Sequence, residues 1–422
     1  MAAFPVPAPA IRIAQSRAPV SADGARVNEW LARFDAIGRT DGGINRLAYS
    51  DADLAGRAFA VECFRDAGFT PRTDAAGNLI ARLDGRELLP PTIIGSHIDS
   101  VANGGNYDGP VGSFAAIEVA RSLREQGVRL RHPLEVVVWA NEEGGTIGSK
   151  CAVGLLDASA LDIVARSGVT VRDGIARIGG DVTRLAESTR ARGSAHAYLE
   201  LHIEQSAMLE RDRCNIGTVT GIVALKWLEV TITGAANHAG ATPMDQRQDA
   251  LLAAARFTVA VHDTVRSEPG RQVATVGRVV PTPNTTNVIA GSVLLTVDLR
   301  DLDAAKVERF SARFERIGAE IGAATGTTFS FRDTVSSAPA LADPRIMDAI
   351  DASAGALGLT HHRMPSGAGH DAQELAHICP MGMIFVPSVG GISHSPREFT
   401  RQDDVVNGVQ VLMNAVRQVD EW

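Results

Sequence analysis

Short runs of apolar residues alternate with helical segments along the first half of the chain. Apolar spacing predicts helices over 51–68 and 113–126, and continuous apolar runs predict buried strands over 91–95 and 134–140. The first of these strands is predicted to end in a turn at Gly95. Buried strands that alternate with helices indicate an α/β sheet with substantial parallel character.

The pattern changes in the third quarter of the chain. Residues 227–233 and 293–300 alternate like half-buried strands, and residues 249–266 have the spacing of a helix. A further helix carries apolar residues at 3-4-3-4 spacing on one face, namely Val307, Phe310, Phe314, Ile317 and Ile321. The segment therefore predicts a compact α+β insert with an open-faced sheet.

A buried strand is predicted again at 383–389, so the insert interrupts one catalytic domain. The predicted architecture is an α/β catalytic domain with a mixed sheet, built from residues 1–218 and 336–422, and a smaller α+β domain at 219–335. A chain of 422 residues is too long for one ordinary core, which favours two domains. About the first 20 residues, rich in Ala and Pro, predict a loose arm.

Composition and charge narrow the expected partners. Lys and Arg number 41 against 49 Asp and Glu, and no basic run offsets the net charge of −8, so neither nucleic acid nor a membrane is expected as a partner. No apolar run approaches the roughly 20 residues of a membrane span, and no signal peptide is recognised. Four scattered cysteines fit buried thiols in a reducing compartment, and the cytoplasm is the predicted location.

Candidate metal ligands follow the first predicted strand. His97 and Asp99 in GSHIDS share a face of extended chain, where a carboxylate can hold an imidazole in its metal-binding tautomer. Asp108 in NGGNYDG could bridge two cations, because the glycines let the backbone approach a ligand closely. Each motif alone is explained as well by a histidine that packs a strand end or by an Asx turn.

Glu142 and Glu143 stand side by side directly after the second predicted strand. Two adjacent carboxylates are costly to hold together unless a cation or a proton separates their roles. Neighbouring side chains in extended chain point opposite ways, so one can bind metal while the other transfers protons. The spacing does not decide which does which, and a solvated acidic turn is the alternative.

Two further histidines complete the set. His202 alternates with Glu204 in LHIEQ, and His394 lies in the glycine-rich segment GGISHSP. Either one alone is better explained as a structural histidine, but three histidines, two acids and a spare glutamate near strand ends form the ligand set of a two-metal hydrolase. No GxSxG motif and no cysteine motif supports a serine or cysteine hydrolase.

Seven motifs occur in the order seen in one enzyme family: GSHIDSV, YDGPVG, NEEGG, LHIEQ, ANHAGATPM, NVIAG and GGISHSP. From about Val27 to Val411 the chain resembles the hydantoinase/carbamoylase family of zinc amidohydrolases. That family includes N-carbamoyl-L-amino-acid hydrolase, allantoate amidohydrolase and β-ureidopropionase, within the superfamily of aminoacylases and dimetal carboxypeptidases. The resemblance implies the dimetal-peptidase-like fold for the catalytic domain.

The resemblance also implies residue roles. Two divalent ions, zinc by expectation although Mn, Co or Ni can occupy similar sites, would be held by His97, Asp108, Glu143, His202 and His394. Asp108 would bridge the ions, Glu142 would be the general base, and Asp99 would orient His97. His370 in SGAGHD fits the family without an assigned step.

The insert would act as a lid and as the interface of a homodimer. His238 would stabilise the oxyanion from across that interface. A small-molecule carboxylate substrate would be bound by Gln205, Asn287 and Arg300. Arg300 could grip the carboxylate with two hydrogen bonds, and a strand-end ion pair with Asp298, Asp301 or Asp303 is the alternative.

The expected reaction is hydrolysis of a linear C–N bond in an N-carbamoyl amino acid or a related ureido acid such as allantoate. Departures from the family pattern leave the substrate open, at Ser206, Ala290, the segment Gly144-Gly145-Thr146 and the segment Val223–Trp227. One alternative is an aminoacylase or dipeptidase with the same metals. Another is a metal-bearing binding protein without catalysis, although the intact Glu142 argues against it.

Overall fold

The computed structural model describes residues 20–422, so the predicted N-terminal arm lies outside the described residues. The helices are α1 (Gly24–Phe34), α2 (Asp51–Asp66), α3 (Pro110–Glu125), α4 (Ile147–Val153), α5 (Val171–Arg177), α6 (Met208–Arg211), α7 (Ala250–Arg266), α8 (Ala304–Thr325), α9 (Pro344–Ala356), α10 (Asp371–Leu375) and α11 (Gln402–Val419). None of these helices is long and apolar enough to cross a membrane.

The strands of the described residues fall into one large sheet, one four-stranded sheet and two short pairs. They are β1 (Arg39–Thr40), β2 (Gly43–Ile44), β3 (Arg72–Thr73), β4 (Leu79–Leu83), β5 (Thr92–His97), β6 (Leu134–Trp139), β7 (Ala197–Ile203), β8 (Ile216–Ile222), β9 (Ala224–Thr233), β10 (Asn237–His238), β11 (Val273–Thr282), β12 (Val288–Ile289), β13 (Ser292–Asp301), β14 (Thr328–Ser337), β15 (Ala340–Leu341), β16 (His361–Ser366) and β17 (Met381–Val386).

The large sheet has the order β15-β8-β17-β7-β5-β6-β4-β3, with β16 beside β8. Its four central strands, β17, β7, β5 and β6, run parallel to one another, whereas β4 is antiparallel to β6 and β8 is antiparallel to β17. Every residue of the four central strands is buried, as expected for parallel strands with helices on both faces. The predicted α/β class with a mixed sheet is confirmed.

The smaller sheet is antiparallel throughout, in the order β11-β13-β9-β14. Helices α7 and α8 cover one face, because the predicted apolar stripe of α8 and alternate residues of β9 enter one core. The domain boundaries at 219 and 335 stay predictions, since β8 crosses the first as part of the large sheet and β14 crosses the second as part of the small one.

Two central elements have other bounds than the sequence predicts. Strand β5 does not turn at Gly95 but continues to His97, which pairs with Trp139 of β6. The glycine serves close strand packing, because a Cβ at position 95 would lie 1.9 Å from the carbonyl oxygen of Val137. The last central strand covers Met381–Val386, so the prediction of 383–389 is wrong at both ends.

Candidate metal centre

Four adjacent parallel strands bring the predicted ligands to one edge of the large sheet. His97 is the last residue of β5, and Glu142 and Glu143 follow β6. His202 lies one residue before the end of β7, and His394 follows β17 after a short helical turn. The carboxyl ends of parallel strands meet at the same edge of a sheet, and ligands bind there in open α/β folds.

Asp108 lies between two groups of ligand atoms. Its Oδ1 is 3.2 Å from Nε2 of His202 and 3.8 Å from Nε2 of His97. Its Oδ2 is 3.2 Å from Nε2 of His394, which is 3.6 Å from Oε1 of Glu143. Within each group the ligand atoms lie within 4.8 Å of one another, so the five residues form two candidate metal sites that share Asp108.

The backbone around Asp108 is specialised for this approach. Gly109 has φ +84°, and a Cβ there would lie 2.4 Å from the ring of His97, so only glycine lets the loop pass the imidazole. Gln205 and His394 have φ of 59° and 52°, a left-handed conformation that costs a side chain about 1–3 kcal/mol. Gln205 uses it to donate from Nε2 to Oδ2 of Asp108 over 2.7 Å.

Backbone carbonyls orient both buried imidazoles. Nδ1 of His97 lies 3.1 Å from the carbonyl oxygen of Asp99, and Nδ1 of His202 lies 2.9 Å from that of Ile203. An acceptor at Nδ1 places the ring proton there and leaves the Nε2 lone pair free for a cation. Nε2 of His202 is buried without a hydrogen-bond partner among the described residues, and a bound cation would satisfy it.

Asp99 lies beside His97 and also contacts the turn that carries the two glutamates. Its carboxylate lies 3.6 Å from Nδ1 of His97, and it accepts the backbone N–H groups of Glu142 at 3.2 Å and Glu143 at 3.1 Å. Asp99 thus fixes the turn after β6 relative to the end of β5. Its carboxylate holds the two glutamates, and its backbone carbonyl holds the histidine.

Burial sets the charge state of the acids. Burial raises the pKa of Glu142 well above its usual range, and it raises the pKa of Glu143 to about 7. Burial also opposes ionisation of Asp108, but the imidazoles of His202 and His394, each 3.2 Å from one of its oxygens, hold the pKa of Asp108 well below its usual value. Crowded buried carboxylates of this kind are what a divalent cation neutralises.

A third cluster of metal-ligand types, Glu200 with His202 and His370, fits a cation less well. Both oxygens of Glu200 already accept hydrogen bonds, from Ser96 at 2.8 Å and from Tyr198 at 3.0 Å. The ring of His370 lies 4.5 Å from that of His202, and burial holds the pKa of His370 well below its usual value. His370 therefore packs beside the centre as a neutral ring.

An open cavity of about 360 Å³ lies over the ligands and is bordered by residues of both sheets. Arg300 of β13 borders it, and its Nε and Nη2 donate to the two carboxylate oxygens of Asp298 at 2.9 and 2.8 Å. Its Nη1 donates to the carbonyl oxygen of Gly367 at 2.7 Å. The ion pair considered as an alternative is therefore present, at the cavity wall.

The structure does not bring His238 and Asn287 to the other predicted site residues. Both are exposed in or beside the short pair β10–β12 and do not line the cavity. Nδ1 of His238 accepts the backbone N–H groups of Gly240 and Ala241, both at 3.1 Å. These acceptor contacts place the ring proton on Nε2, which is free to donate.

A model of the peptidase family M20/M25/M40 matches residues 93–418. The chain belongs to this family. It is 38% identical to N-carbamoyl-L-amino acid amidohydrolase of Geobacillus stearothermophilus, over 94% of this chain and 98% of the relative. It is 36% identical to ureidoglycolate hydrolase of Arabidopsis thaliana, over 87% of this chain and 80% of that protein. A solved amidase of the hydantoinase/carbamoylase family from Burkholderia multivorans is similar with a TM-score of 0.87 and 36% identity, covering 95% and 98% of the two chains.

Membership of the M20 family confirms the resemblance and the expectation of a hydrolase that acts on carbon–nitrogen bonds. The family is metal-dependent, and the two groups around Asp108 are candidate metal-binding groups of this M20 chain.

Glu398 is a residue of the site that the sequence analysis missed. One carboxylate oxygen accepts the backbone N–H groups of Tyr107 at 2.9 Å and Asp108 at 3.1 Å. The other accepts the Ser393 hydroxyl at 2.9 Å and the His394 N–H at 3.2 Å. Glu398 therefore ties the loop of Asp108 to the loop of His394. Its only sequence signal is its place four residues after His394, where a glutamate is typical of a surface turn.

Glu398→Gln is expected to weaken metal binding and kcat by about 10- to 100-fold, because an amide cannot accept hydrogen bonds at both of its ends. Titration of the metal-free protein with zinc, followed calorimetrically, measures the change. Glu320→Gln, at an exposed position of α8, is the matched control. Equal affinity in both variants would show that the two loops hold their places without Glu398.

Proposed function

We propose that the protein hydrolyses a linear C–N bond of an N-carbamoyl amino acid or a related ureido acid, with two divalent metal ions and Glu142 as the general base. The observation that carries the proposal is the pair of ligand groups that share Asp108, with the carboxylate of Glu142 3.7 Å from Nε2 of His97. The names of the relatives support the substrate class.

The ions, zinc by proposal, would be held by His97, Asp108, Glu143, His202 and His394, and when bound they supply an activated water and polarise the scissile carbonyl. Glu142 accepts a proton from the attacking water at its carboxylate. The water oxygen adds to the carbamoyl carbon, and the bond from that carbon to the amino nitrogen breaks. Glu142 returns the proton to this nitrogen, and the carbamate that leaves decomposes to ammonia and carbon dioxide.

Asp99 is a positioning residue in this reaction. Its hydrogen bonds to two consecutive N–H groups fix the backbone that carries the base and its neighbouring ligand. Gln205 would contact the substrate from the cavity wall while it holds Asp108.

The smaller domain, residues 219–335, would serve as a lid. Leu225, Arg300 and Val335 bring its sheet to the cavity wall, where Arg300 would bind the substrate carboxylate. Because Nε and Nη2 of Arg300 already donate to Asp298, the guanidinium must share its N–H groups between Asp298 and the substrate.

Arg300→Ala is accordingly expected to raise KM for carboxylate substrates by about tenfold or more, since charged hydrogen bonds contribute about 1.5–3 kcal/mol. Metal content should stay unchanged, and steady-state kinetics with metal analysis checks both. The control is Arg332→Ala, an exposed arginine on the outer strand β14 that pairs with Glu229. An unchanged KM would assign Arg300 to the Asp298 ion pair alone.

A homodimer would explain His238 and Asn287. Both lie outside the cavity of their own chain, and Nε2 of His238 is ready to donate. We propose that they reach a cavity through lid closure and a second copy of the chain, where His238 would stabilise the oxyanion. Four free buried cysteines suit the predicted cytoplasmic location.

Two assays of metal-free and metal-reconstituted protein test the proposal. The first measures ammonia release from N-carbamoyl amino acids and allantoate, and the second measures amino acid release from N-acetyl amino acids. We expect release from carbamoyl or ureido substrates only after metal is added. Amino acid freed only from the acetyl set would make the protein an aminoacylase. Metal binding without turnover of any substrate would favour the binding-protein hypothesis.

A further inference from the structure

One wall of the cavity is polar and has no part in the proposed reaction. It is formed by Thr146 and Lys150, from the beginning of α4, and by Glu374 of α10. The wall borders the same cavity as the candidate ligands His97 and His394, so a substrate bound at the metal centre can reach it.

Glu374 is held at one oxygen only. Its Oε1 accepts the Thr146 hydroxyl at 3.0 Å and lies 4.0 Å from Nζ of Lys150. Among residues 20–422, no hydrogen-bond donor meets its other oxygen. Glu374 lines the cavity and is 8% exposed, so this oxygen can accept a hydrogen bond from a molecule bound there.

Thr146 has a strained backbone conformation and contacts Glu374. It has φ 55° and ψ 41°, a left-handed conformation that β-branched residues rarely adopt. It precedes the first residue of α4, where a threonine hydroxyl ordinarily caps the helix, but it makes no capping hydrogen bond. The hydroxyl donates to Glu374 instead. Strain of this kind is typical of sites that bind ligands.

Lys150 adds a donor to the wall. Its Nζ donates to the carbonyl oxygen of Gly145 at 2.9 Å, which leaves further N–H groups, and the side chain is 36% exposed. Lys150 and Glu374 together carry no net charge. The wall therefore offers an acceptor and a donor to a neutral group that has both.

We propose that Thr146, Lys150 and Glu374 form a subsite for the side chain of the substrate, and that this side chain ends in a primary amide. The proposal rests on the proposed function and adds the side-chain class to it. An amide N–H donates to the free oxygen of Glu374, and the amide oxygen accepts from Lys150. An apolar side chain would displace water from Glu374 and Lys150 without replacing the hydrogen bonds that the water makes. The charge of a charged side chain would not be balanced, because Lys150 and Glu374 together carry no net charge.

The test compares kcat/KM for N-carbamoyl-L-asparagine with the values for N-carbamoyl-L-leucine and N-carbamoyl-L-aspartate, which are close in shape. The asparagine substrate is expected to be better by at least about tenfold, because a site built for hydrogen bonds rejects analogues that lack them. N-carbamoylglycine, which has no side chain, reports the activity of the centre itself.

Glu374→Leu is expected to reduce the asparagine preference to within about threefold of leucine while N-carbamoylglycine turnover changes less than about twofold. Lys150→Met should weaken the asparagine preference as well. Equal or better turnover of leucine by the unaltered protein would overturn the subsite, as would an equal loss on all substrates in Glu374→Leu. Absence of turnover of every carbamoyl substrate, including N-carbamoylglycine, would instead overturn the proposed function.

Discussion

Glu142→Gln is expected to keep its metal and to lose about 10²- to 10⁴-fold in kcat, the contribution of a positioned general base. The amide has the size of the carboxylate, so the backbone held by Asp99 should not move. It cannot accept the proton of the attacking water. Metal content by elemental analysis and kcat on the best carbamoyl substrate measure the two parts of this expectation.

Glu143→Gln is the matched comparison, because it makes the same change one residue along the chain. Its side chain lies 3.6 Å from Nε2 of His394 in a candidate ligand group, so it should lose metal first and activity as a consequence. If Glu142→Gln lost the metal and Glu143→Gln kept it, the roles of the two glutamates would be reversed.

Asp108→Asn is expected to weaken metal binding at both candidate sites and to lower activity by more than about a hundredfold. Removal of residues that only orient metal ligands costs about 10- to 100-fold, and Asp108 is shared by both ligand groups. The variant should also lose the rise in Tm that added metal gives the unaltered protein, because only ions bound to the folded state stabilise it.

Asp212→Asn is the control for Asp108→Asn, since Asp212 is a surface acid that pairs with Arg211. It should bind metal and respond to it in thermal unfolding as the unaltered protein does. Full metal occupancy in Asp108→Asn, with an unchanged rise in Tm, would mean that the two histidine groups bind without a common carboxylate.

The sequence predicts the ligand cluster because local rules place its members. His97, Glu142, Glu143 and His202 lie at or just after the ends of buried strands, and parallel strands bring such ends together whatever lies between them. This rule requires only that the strands are parallel and buried, and it does not require knowledge of which strand lies beside which. The family resemblance then adds the roles that spacing leaves open.

Contacts between distant segments are beyond that reasoning. Glu398 contacts the loop of Asp108 across 290 residues, and Thr146 contacts Glu374 across 228 residues. The periodicity of the sequence does not reveal such pairs, because it describes only residues that are close along the chain. Strand β11, at an edge of the small sheet, is not predicted by the pattern either. Most of its residues are exposed, and its apolar and polar positions do not alternate cleanly.

The place of β17 in the large sheet has a consequence for synthesis of the protein. It lies between β7 and β8, although it is made some 160 residues after β8 ends. Until residue 386 emerges from the ribosome, β7 and β8 each lack a neighbour and present unpaired edges. The small sheet is complete at residue 337, so it can fold earlier. Nascent chains paused between these points are therefore the ones with the most unpaired strand edge. The candidate ligand group that includes His394 can form only when translation is nearly finished.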